Sequence, residues 1–256
     1  MQLTQRNYFS KKASLEYMSV SQFKAFQKCP EAALAEIKGR YEREKTTALL
    51  VGSYVDSHFE GTLPQFKYDN PDIFKKDGTL KNEYLQAEAI IDRIQRDRMF
   101  TRYMSGRKQV IMTGEIEGVK VKIKVDSLHK DKIVDLKVVK DFRDIYDADR
   151  GSLPWYSFWN YEVQGAVYQE IVRQNTGNNL PFYLAAATKE KVTDLDIIEI
   201  EQPDLDFALE VFRRDVEYFD AIKKGAVDPV RCEKCDYCKQ TKVLKEPTKS
   251  SEYIYR

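Results

Sequence analysis

Two aspartates and a lysine lie close together in the middle of the sequence, in the segments V-D-S-L and D-L-K. In an extended strand, Asp135 and Lys137 point to the same face, whereas Leu136 points into the opposite, apolar layer. If a hairpin turn lies near Lys130, Asp126 falls beside Asp135 on the neighbouring strand. Two carboxylates and one ammonium group would then converge on one spot.

This set of groups suits chemistry at a phosphate. Carboxylate oxygens are ligands for hard divalent ions such as Mg²⁺ or Mn²⁺, which polarise a phosphoryl oxygen and activate water. Lys137 could orient or activate that water, or stabilise a charged transition state. An Asp-x-Lys sequence on a strand is also common as a surface ion pair, so the three residues alone do not distinguish a catalytic site from such a pair.

Three consecutive strands must position these residues. Alternating apolar and polar residues predict strands over 109–116, 119–128 and 132–139,. The turns between them fall at 117–118 and 129–131. The middle of the sequence therefore predicts a three-stranded meander.

The second strand carries three lysines that alternate with valine and isoleucine. This pattern predicts one buried face and one cationic face bearing Lys120, Lys122 and Lys124,. The lysines would either contact phosphates or solvate an open strand face.

Helices are expected on both sides of the meander. Apolar periodicity and capping residues predict helices over 19–27, 31–41, 46–60, 84–99, 156–174 and 205–224,. Further strands are predicted at 181–187 and 197–200, and residues 64–78 are expected to form a surface excursion. The order indicates a mixed α/β fold.

The helix after the meander contains a glutamine and a tyrosine four residues apart. Gln164 and Tyr168 therefore share one helix face. Gly165 and Ala166 permit close packing on the sheet. The pair could hold a DNA backbone or the lysine of the D-L-K segment, or it could belong to an ordinary amphipathic helix.

The combined pattern resembles the PD-(D/E)XK nucleases. D…D-x-K on the strands of a meander matches that family's signature, with Val125 where proline often stands. Q-x-x-x-Y resembles the motif of the RecB-like branch. The resemblance implies a restriction-endonuclease-like αβββαβ core with N-terminal helices and a C-terminal helix plus cysteine cluster. It also implies that Asp126, Asp135, Lys137, Gln164 and Tyr168 form the catalytic centre.

The same branch places G-x-x-x-H-x-x-x-E on an earlier helix. Gly52, Asp56 and Glu60 have that spacing, with aspartate in place of histidine. We therefore expect Asp56 to be a metal ligand, and His58, two residues out of register, to be an ordinary histidine. Glu115 resembles an additional acidic ligand position of the branch.

Four cysteines form a second group of candidate ligands. Cys232, Cys235 and Cys238 are separated by two residues each, and Cys29 stands near the other end. This spacing favours ligation over disulfides in an intracellular chain. The lone Cys29 resembles the first ligand of the iron staple of related nucleases, which implies a 4Fe–4S cluster. A structural zinc ion or free thiols are the alternatives.

Charge and hydropathy limit the class of protein. The 42 basic and 41 acidic residues nearly balance, which does not exclude nucleic acid, because a nuclease combines an acidic centre with a basic groove,. A 42% hydrophobic content supplies a core,. With no apolar run of about 18 residues and no secretory signal, we expect a cytoplasmic protein without membrane contact.

The resemblance covers nearly the whole chain. We expect one nuclease domain over 1–256, with a helical part at 19–100, a core at about 105–190, a helix and cysteine cluster at 204–238, and a flexible tail at 239–256. A compact chain of this kind is most similar to phage or prophage RecE-type exonucleases.

That similarity implies digestion of DNA ends for recombination, with a RecT-type annealing protein as partner. Two alternatives stay open. One is a CRISPR-adaptation-like nuclease that trims DNA ends. The other is a non-catalytic DNA-binding module on the same fold.

Overall fold

The architecture is described from a computed structural model, which covers residues 1–244, 246, 247 and 249–251. Its main sheet consists of β1 (Arg107–Ile116), β2 (Val119–Leu128), β3 (Ile133–Val139), β6 (Phe182–Thr188) and β7 (Leu195–Ile200), in that spatial order. Only the β3–β6 pair is parallel among these described strands. A small hairpin is formed by β4 (Ile145–Asp147) and β5 (Gly151–Leu153).

Helices precede and follow the meander. The N-terminal helices are α1 (Lys11–Glu16), α2 (Val20–Lys28), α3 (Pro30–Ile37), α4 (Thr47–Glu60), α5 (Leu63–Asp69), α6 (Asn82–Gln95) and α7 (Arg98–Tyr103). The later ones are α8 (Trp155–Phe158), α9 (Tyr161–Thr176), α10 (Gln202–Lys224) and α11 (Asp236–Gln240). None of the helices in the described part of the chain is long and apolar enough to cross a membrane.

Apolar side chains pack on both faces of the sheet. On one face, Phe23 of α2, Val167 of α9 and Phe212 of α10 belong to a single core cluster with the strands. On the other face, Tyr54 of α4 and Ile90 of α6 pack against a second set of strand residues. Burial of both faces explains the apolar content of β3 and β6. This α/β architecture confirms the expected fold class.

Several local predictions need correction. Residues 64–78 contain α5 and a 3₁₀ turn at Pro71–Ile73, because the prolines begin short helices there. The helix predicted at 156–174 is two helices, since Asn160 adopts a left-handed conformation with φ of 50°. Residues 239 and 240 of the predicted tail complete α11. Positions 245, 248 and 252–256 of that tail lie outside the described residues.

The lysine face of β2 is partly covered: Lys122 is buried, whereas Lys120 is exposed. Lys122 is only 3% exposed, and its ammonium donates to the carbonyl of Tyr8 at 2.6 Å. Lys120 pairs with Glu16 at 3.2 Å. The N-terminal residues before α2 therefore cover part of this face, which the alternation of residue types could not predict.

Candidate active site

A cleft opens where β2 and β3 diverge. The two strands pair only at Ser127–Val134 and Leu128–Ile133, and the next residues in register are Asp126 and Asp135. Here the backbone N–H of Leu136 donates to Asp126 Oδ2 at 3.0 Å instead of continuing the ladder. The resulting cleft has a volume of about 590 Å³ and is lined by all three residues of the D…D-x-K pattern.

Asp135 and Lys137 form a buried ion pair on β3. Asp135 is 2% exposed, and its Oδ2 is in direct contact with the ammonium of Lys137. Burial raises the pKa of Asp135 to about 7, Asp126 adds to this rise, and Lys137 opposes it. Burial alone would lower the pKa of Lys137, but the charge of Asp135 outweighs it and the pKa is raised. Lys137 is therefore a cation at neutral pH.

Asp126 is oriented by two donors. Gln109 Nε2 donates to Asp126 Oδ1 at 3.1 Å, and the N–H of Leu136 occupies the other oxygen. Gln109 adopts a left-handed φ of 51°, which is uncommon for a residue with a side chain,. Its carbonyl accepts from Gln5 Nε2 at 2.6 Å. Nothing in the sequence pattern marked Gln109, because its role depends on this local conformation.

Asp56 reaches the same cleft from α4. Its carboxylate has no hydrogen bond or ion pair with any residue that the structure describes. Burial raises the pKa of Asp56 well above its ordinary value, and the charge of Asp126 adds to the rise. Glu60, one turn later, pairs with Lys124 at 3.7 Å. His58 instead contacts Gln95 at 3.0 Å and does not line the cleft.

The donor set fits a hard divalent cation. Asp56, Asp126 and Asp135 all line the cleft, and burial, with a further contribution from the charge of Asp126, raises the pKa of Asp56 and Asp135. Asp135 Oδ2 is buried, and within the part of the chain that is described its polar contact is the ammonium of Lys137. Acceptor-only oxygens gathered in this way are the ligands that Mg²⁺ and Mn²⁺ prefer.

The glutamine and tyrosine of α9 form hydrogen bonds with the two strands that carry the acidic residues. Gln164 Nε2 donates to Asp135 Oδ1 at 2.6 Å, and the Tyr168 hydroxyl donates to the Lys124 carbonyl at 3.1 Å. A Cβ at Gly165 would lie 2.6 Å from the Phe182 ring, so glycine is required for α9 to approach β6 this closely. In the part of the chain that the structure describes, the two side chains therefore bond to Asp135 and to the backbone of β2 and not to Lys137, which was the expected partner within the protein.

Glu115 does not join the cluster. It is exposed near the end of β1 and pairs in register with Lys120. Lys120 is six residues from Asp126 along β2, a separation of roughly 20 Å in an extended strand. The expectation that Glu115 is a metal ligand is therefore wrong: it lies on the right strand but at the opposite end from the cleft.

A lysine and an exposed phenylalanine, Lys24 and Phe9, also line the cleft, although no spacing in the sequence marks them as site residues. Burial and the nearby ammonium of Lys137 lower the pKa of Lys24 to about 7. Lys24 donates to the Trp159 carbonyl at 2.9 Å. Phe9 is 75% exposed, and the ammonium of Lys124 lies 5.0 Å from the centre of its ring.

The four cysteines form a second site. The structure brings Cys29 to Cys232, Cys235 and Cys238, and all four sulfur atoms lie within 4.8 Å of one another. None of these cysteines lines the cleft. The two groups of candidate ligands are thus separate in space and in chemistry.

The mixed sheet and the acidic cleft define a PD-(D/E)XK-type fold, a class whose nucleases use divalent metals. The chain belongs to the family described as PDDEXK-like domain of unknown function (DUF3799), whose model matches residues 19–241. No curated protein matches the chain.

A solved structure from Eubacterium rectale, described as a candidate exonuclease, is 49% identical to this chain. The match covers 100% of this chain and 99% of that one, with a TM-score of 0.96. The structure of SSO0001 matches 86% of this chain and 93% of its own at 15% identity, with a TM-score of 0.32.

Proposed function

We propose that this protein is a divalent-metal-dependent exonuclease that hydrolyses phosphodiester bonds of DNA. The observation that carries the proposal is the buried Asp135–Lys137 pair at the mouth of the β2–β3 divergence, with Asp56 and Asp126 in the same cleft. The related structure described as a candidate exonuclease supports the same class of reaction.

Each residue of the cleft has its own role in the proposed hydrolysis. Asp56, Asp126 and Asp135 would hold Mg²⁺ or Mn²⁺, which when bound polarises the phosphoryl oxygen and activates water. Lys137, as a cation, stabilises the negative charge that develops on the phosphoryl oxygens and orients the attacking water. Gln164 holds Asp135 in the orientation that the reaction needs.

Phe9 and Lys24 extend the cleft toward the DNA strand. An exposed aromatic ring beside a cation offers a stacking surface for a nucleobase, whatever the base. Lys24 contributes positive charge close to the scissile phosphate, and phosphate binding raises the pKa of such an amine. The two residues would bind an unpaired end of DNA rather than read its sequence.

The biological role that we propose is end resection for phage-type recombination. The resemblance to stand-alone RecE-type exonucleases supports it, and it implies a RecT-type annealing protein that takes up the single strand. Such a partner would need a product with one strand degraded and the other left intact. Strand-specific end labels followed by gel analysis would show whether the protein leaves such a tail.

The enzymatic proposal is tested with purified protein on end-labelled linear DNA and on covalently closed circular DNA. We expect release of nucleotides from the linear substrate in Mg²⁺ or Mn²⁺, none in EDTA, and no loss of the closed circle. Cleavage of the circle would instead indicate an endonuclease. Absence of cleavage with every divalent metal would leave a non-catalytic DNA-binding module.

Asp135→Asn is the informative variant, since it keeps the shape of the side chain but removes the charge. We expect at least a 100-fold loss of hydrolysis with DNA binding retained. Asp131→Asn, in the exposed turn before β3, is the matched control and should hydrolyse DNA like the unaltered protein. Equal activity of both variants would reject Asp135 as a metal ligand.

A further inference from the structure

The cysteine site has no role in the chemistry of the cleft. Cys29 lies between α2 and α3, and the other three cysteines lie in the loop after α10 and in α11. Cys29 and Cys238 are 3% and 0% exposed. The sulfurs pack among small and aromatic side chains, including Ala35, Tyr41 and Tyr237.

The spacing of the sulfurs discriminates between the two metal centres that the sequence left open. Cys29 Sγ lies 3.6 Å from Cys238 Sγ, and Cys232 Sγ lies 3.9 Å from it. Four thiolates bound to one zinc ion at about 2.3 Å in a tetrahedron are separated by about 3.8 Å. In a 4Fe–4S cluster each thiolate binds a different iron, which holds the sulfurs more than about 6 Å apart.

We infer that the four cysteines bind one zinc ion and not an iron–sulfur cluster. All four sulfurs lie within 4.8 Å of one another, so the space between them accommodates one ion but not a cube of iron and sulfide. The iron staple implied by the sequence resemblance therefore does not fit this chain. The intervals of two residues between Cys232, Cys235 and Cys238 accompany this tight arrangement of the sulfurs.

The backbone around the sulfurs is arranged for thiolate ligands. The N–H of Cys235 donates to Cys232 Sγ at 3.3 Å, and the N–H of Cys238 donates to Cys235 Sγ at 3.5 Å. Such bonds offset part of the negative charge of a four-thiolate site. Arg231 adds a nearby cation and donates to the Cys238 carbonyl at 2.7 Å.

Four protein ligands leave no open position on zinc, so the site is structural. It ties the junction of α2 and α3 to the segment that follows α10, more than 200 residues away in the sequence. Because α2 also carries Lys24 into the cleft, the zinc ion fixes one wall of the active site from a distance.

Metal analysis of the whole protein tests this inference. The protein is produced with both iron and zinc in the growth medium and purified without oxygen, so that neither supply nor oxidation decides the outcome. We expect about one zinc per chain, no labile sulfide and no visible absorption band. Iron with labile sulfide and a visible band would overturn the inference, and so would a protein with neither metal.

Two variants separate this site from the catalytic one. Cys238→Ser should lose zinc, whereas Asp135→Asn should retain it while losing hydrolysis. Zinc that stays at one per chain in Cys238→Ser would contradict the assignment. If Cys238→Ser does not fold, exchange of cobalt(II) into the unaltered protein decides instead. Intense bands of tetrahedral thiolate coordination are expected, and octahedral bands would overturn the assignment. These readouts do not depend on nuclease activity.

Discussion

Asp135 and Lys137 are charged residues in a row of positions that otherwise pack apolar side chains. On β3, Ile133 and Val139 share their face and belong to the core cluster that contains α9. Burying two charges costs free energy even when they pair. The pair is therefore poor evidence for stability and good evidence for function, because buried charges with perturbed pKa values gather at catalytic sites.

Removing the lysine should affect the chemical step more than DNA binding. We expect Lys137→Ala to lower kcat by 100-fold or more, because the developing phosphoryl charge loses its cation. The dissociation constant for DNA should change by less than about tenfold, since one cation of several is lost. Single-turnover kinetics and fluorescence anisotropy measure the two quantities. Lys132→Ala, in the turn just before the same strand, is the control and should leave both quantities unchanged.

Gln109 is a positioning residue for Asp126. We expect Gln109→Ala to raise the metal concentration for half-maximal activity by about tenfold, because partners that orient metal ligands tune affinity by that order. A titration of activity against Mg²⁺ measures this shift. Gln95→Ala, which removes the contact to His58 outside the cleft, is the control. A fall in activity at saturating metal without any shift of the titration would indicate a general structural defect instead.

Phe9 should act on substrate binding alone. Loss of one stacked base costs about 1–3 kcal/mol, so we expect Phe9→Ala to raise KM for DNA by about 5- to 150-fold with kcat nearly unchanged. Phe9→Trp should keep the KM of the unaltered protein, because any aromatic ring at this position can stack on a base. Phe207→Ala removes a similarly exposed phenylalanine on α10, outside the cleft, and serves as control. An unchanged KM in Phe9→Ala would exclude the stacking role.

The residues that the sequence could identify are those whose positions follow from strand geometry. The two-residue period of β3 places Asp135 beside Lys137, and the length of the hairpin places Asp126 opposite. Gln109 and Phe9 depend on a left-handed backbone and on the path of the N-terminal segment, neither of which leaves a periodic signal. Glu115 is the opposite case: its residue type suits a metal ligand, but its register on β1 places it far from the cleft.

At the scale of elements, the divergence of β2 and β3 is the decisive feature. Beyond Asp126 the free edge of β2 pairs with Met18, whose N–H donates to the Lys120 carbonyl at 2.8 Å. Met18 in turn accepts from Lys122 N at 2.9 Å. The N-terminal segment thus supplies hydrogen-bond partners to the backbone of β2 around Val121. The acidic residues lie between this contact and the paired part of β2 and β3. Strand content could be predicted from the sequence, but a gap between paired strands could not, because it depends on a distant segment.

The packing of α9 on the sheet gives a prediction at this scale. A methyl group at Gly165 would meet Phe182 and Leu205 at 2.6 and 2.7 Å, so Gly165→Ala should destabilise the protein by about 1–3 kcal/mol,. It should also lower activity, since Gln164 moves with the helix. Gly52→Ala, in α4 with no atom within 4 Å of the new methyl, should be neutral or stabilising,. Urea denaturation compares the two, and equal effects would contradict the close approach of α9.

At the scale of the whole molecule, segments that are far apart in the sequence pack together, with α10 against α2 and the residues that precede it. Lys223, near the end of α10, is 5% exposed and donates to the Tyr17 carbonyl at 2.8 Å and to Gln22 at 3.4 Å. Phe219 of α10 stacks on Phe26 of α2, with ring centres 5.3 Å apart. These contacts and the cysteine site hold the N-terminal helices against α10. The sequence showed each helix but not which of them meet.

Stability should therefore depend on pH through Lys223. Burial lowers its pKa to about 8, Asp220 opposes this shift, and Lys122 and Lys224 add to it. The unfolded value is about 10.4, so between these values the unfolded chain binds more protons and the free energy of unfolding rises with pH.

Lys223→Met removes this titration and isolates its contribution. Each unit by which the folded pKa lies below the unfolded pKa costs about 1.4 kcal/mol at low pH, and this cost falls as the lysine loses its proton. Between pH 7 and pH 9.5, the free energy of unfolding of the unaltered protein should therefore rise by about 2 kcal/mol relative to the variant. Urea titrations at several pH values measure the difference. Lys224→Met removes the neighbouring, exposed lysine and should show a much smaller change. A pH-independent difference for Lys223→Met would mean that this amine is as well solvated in the folded chain as in the unfolded one, and that the junction of α10 with the N-terminal helices is open to water.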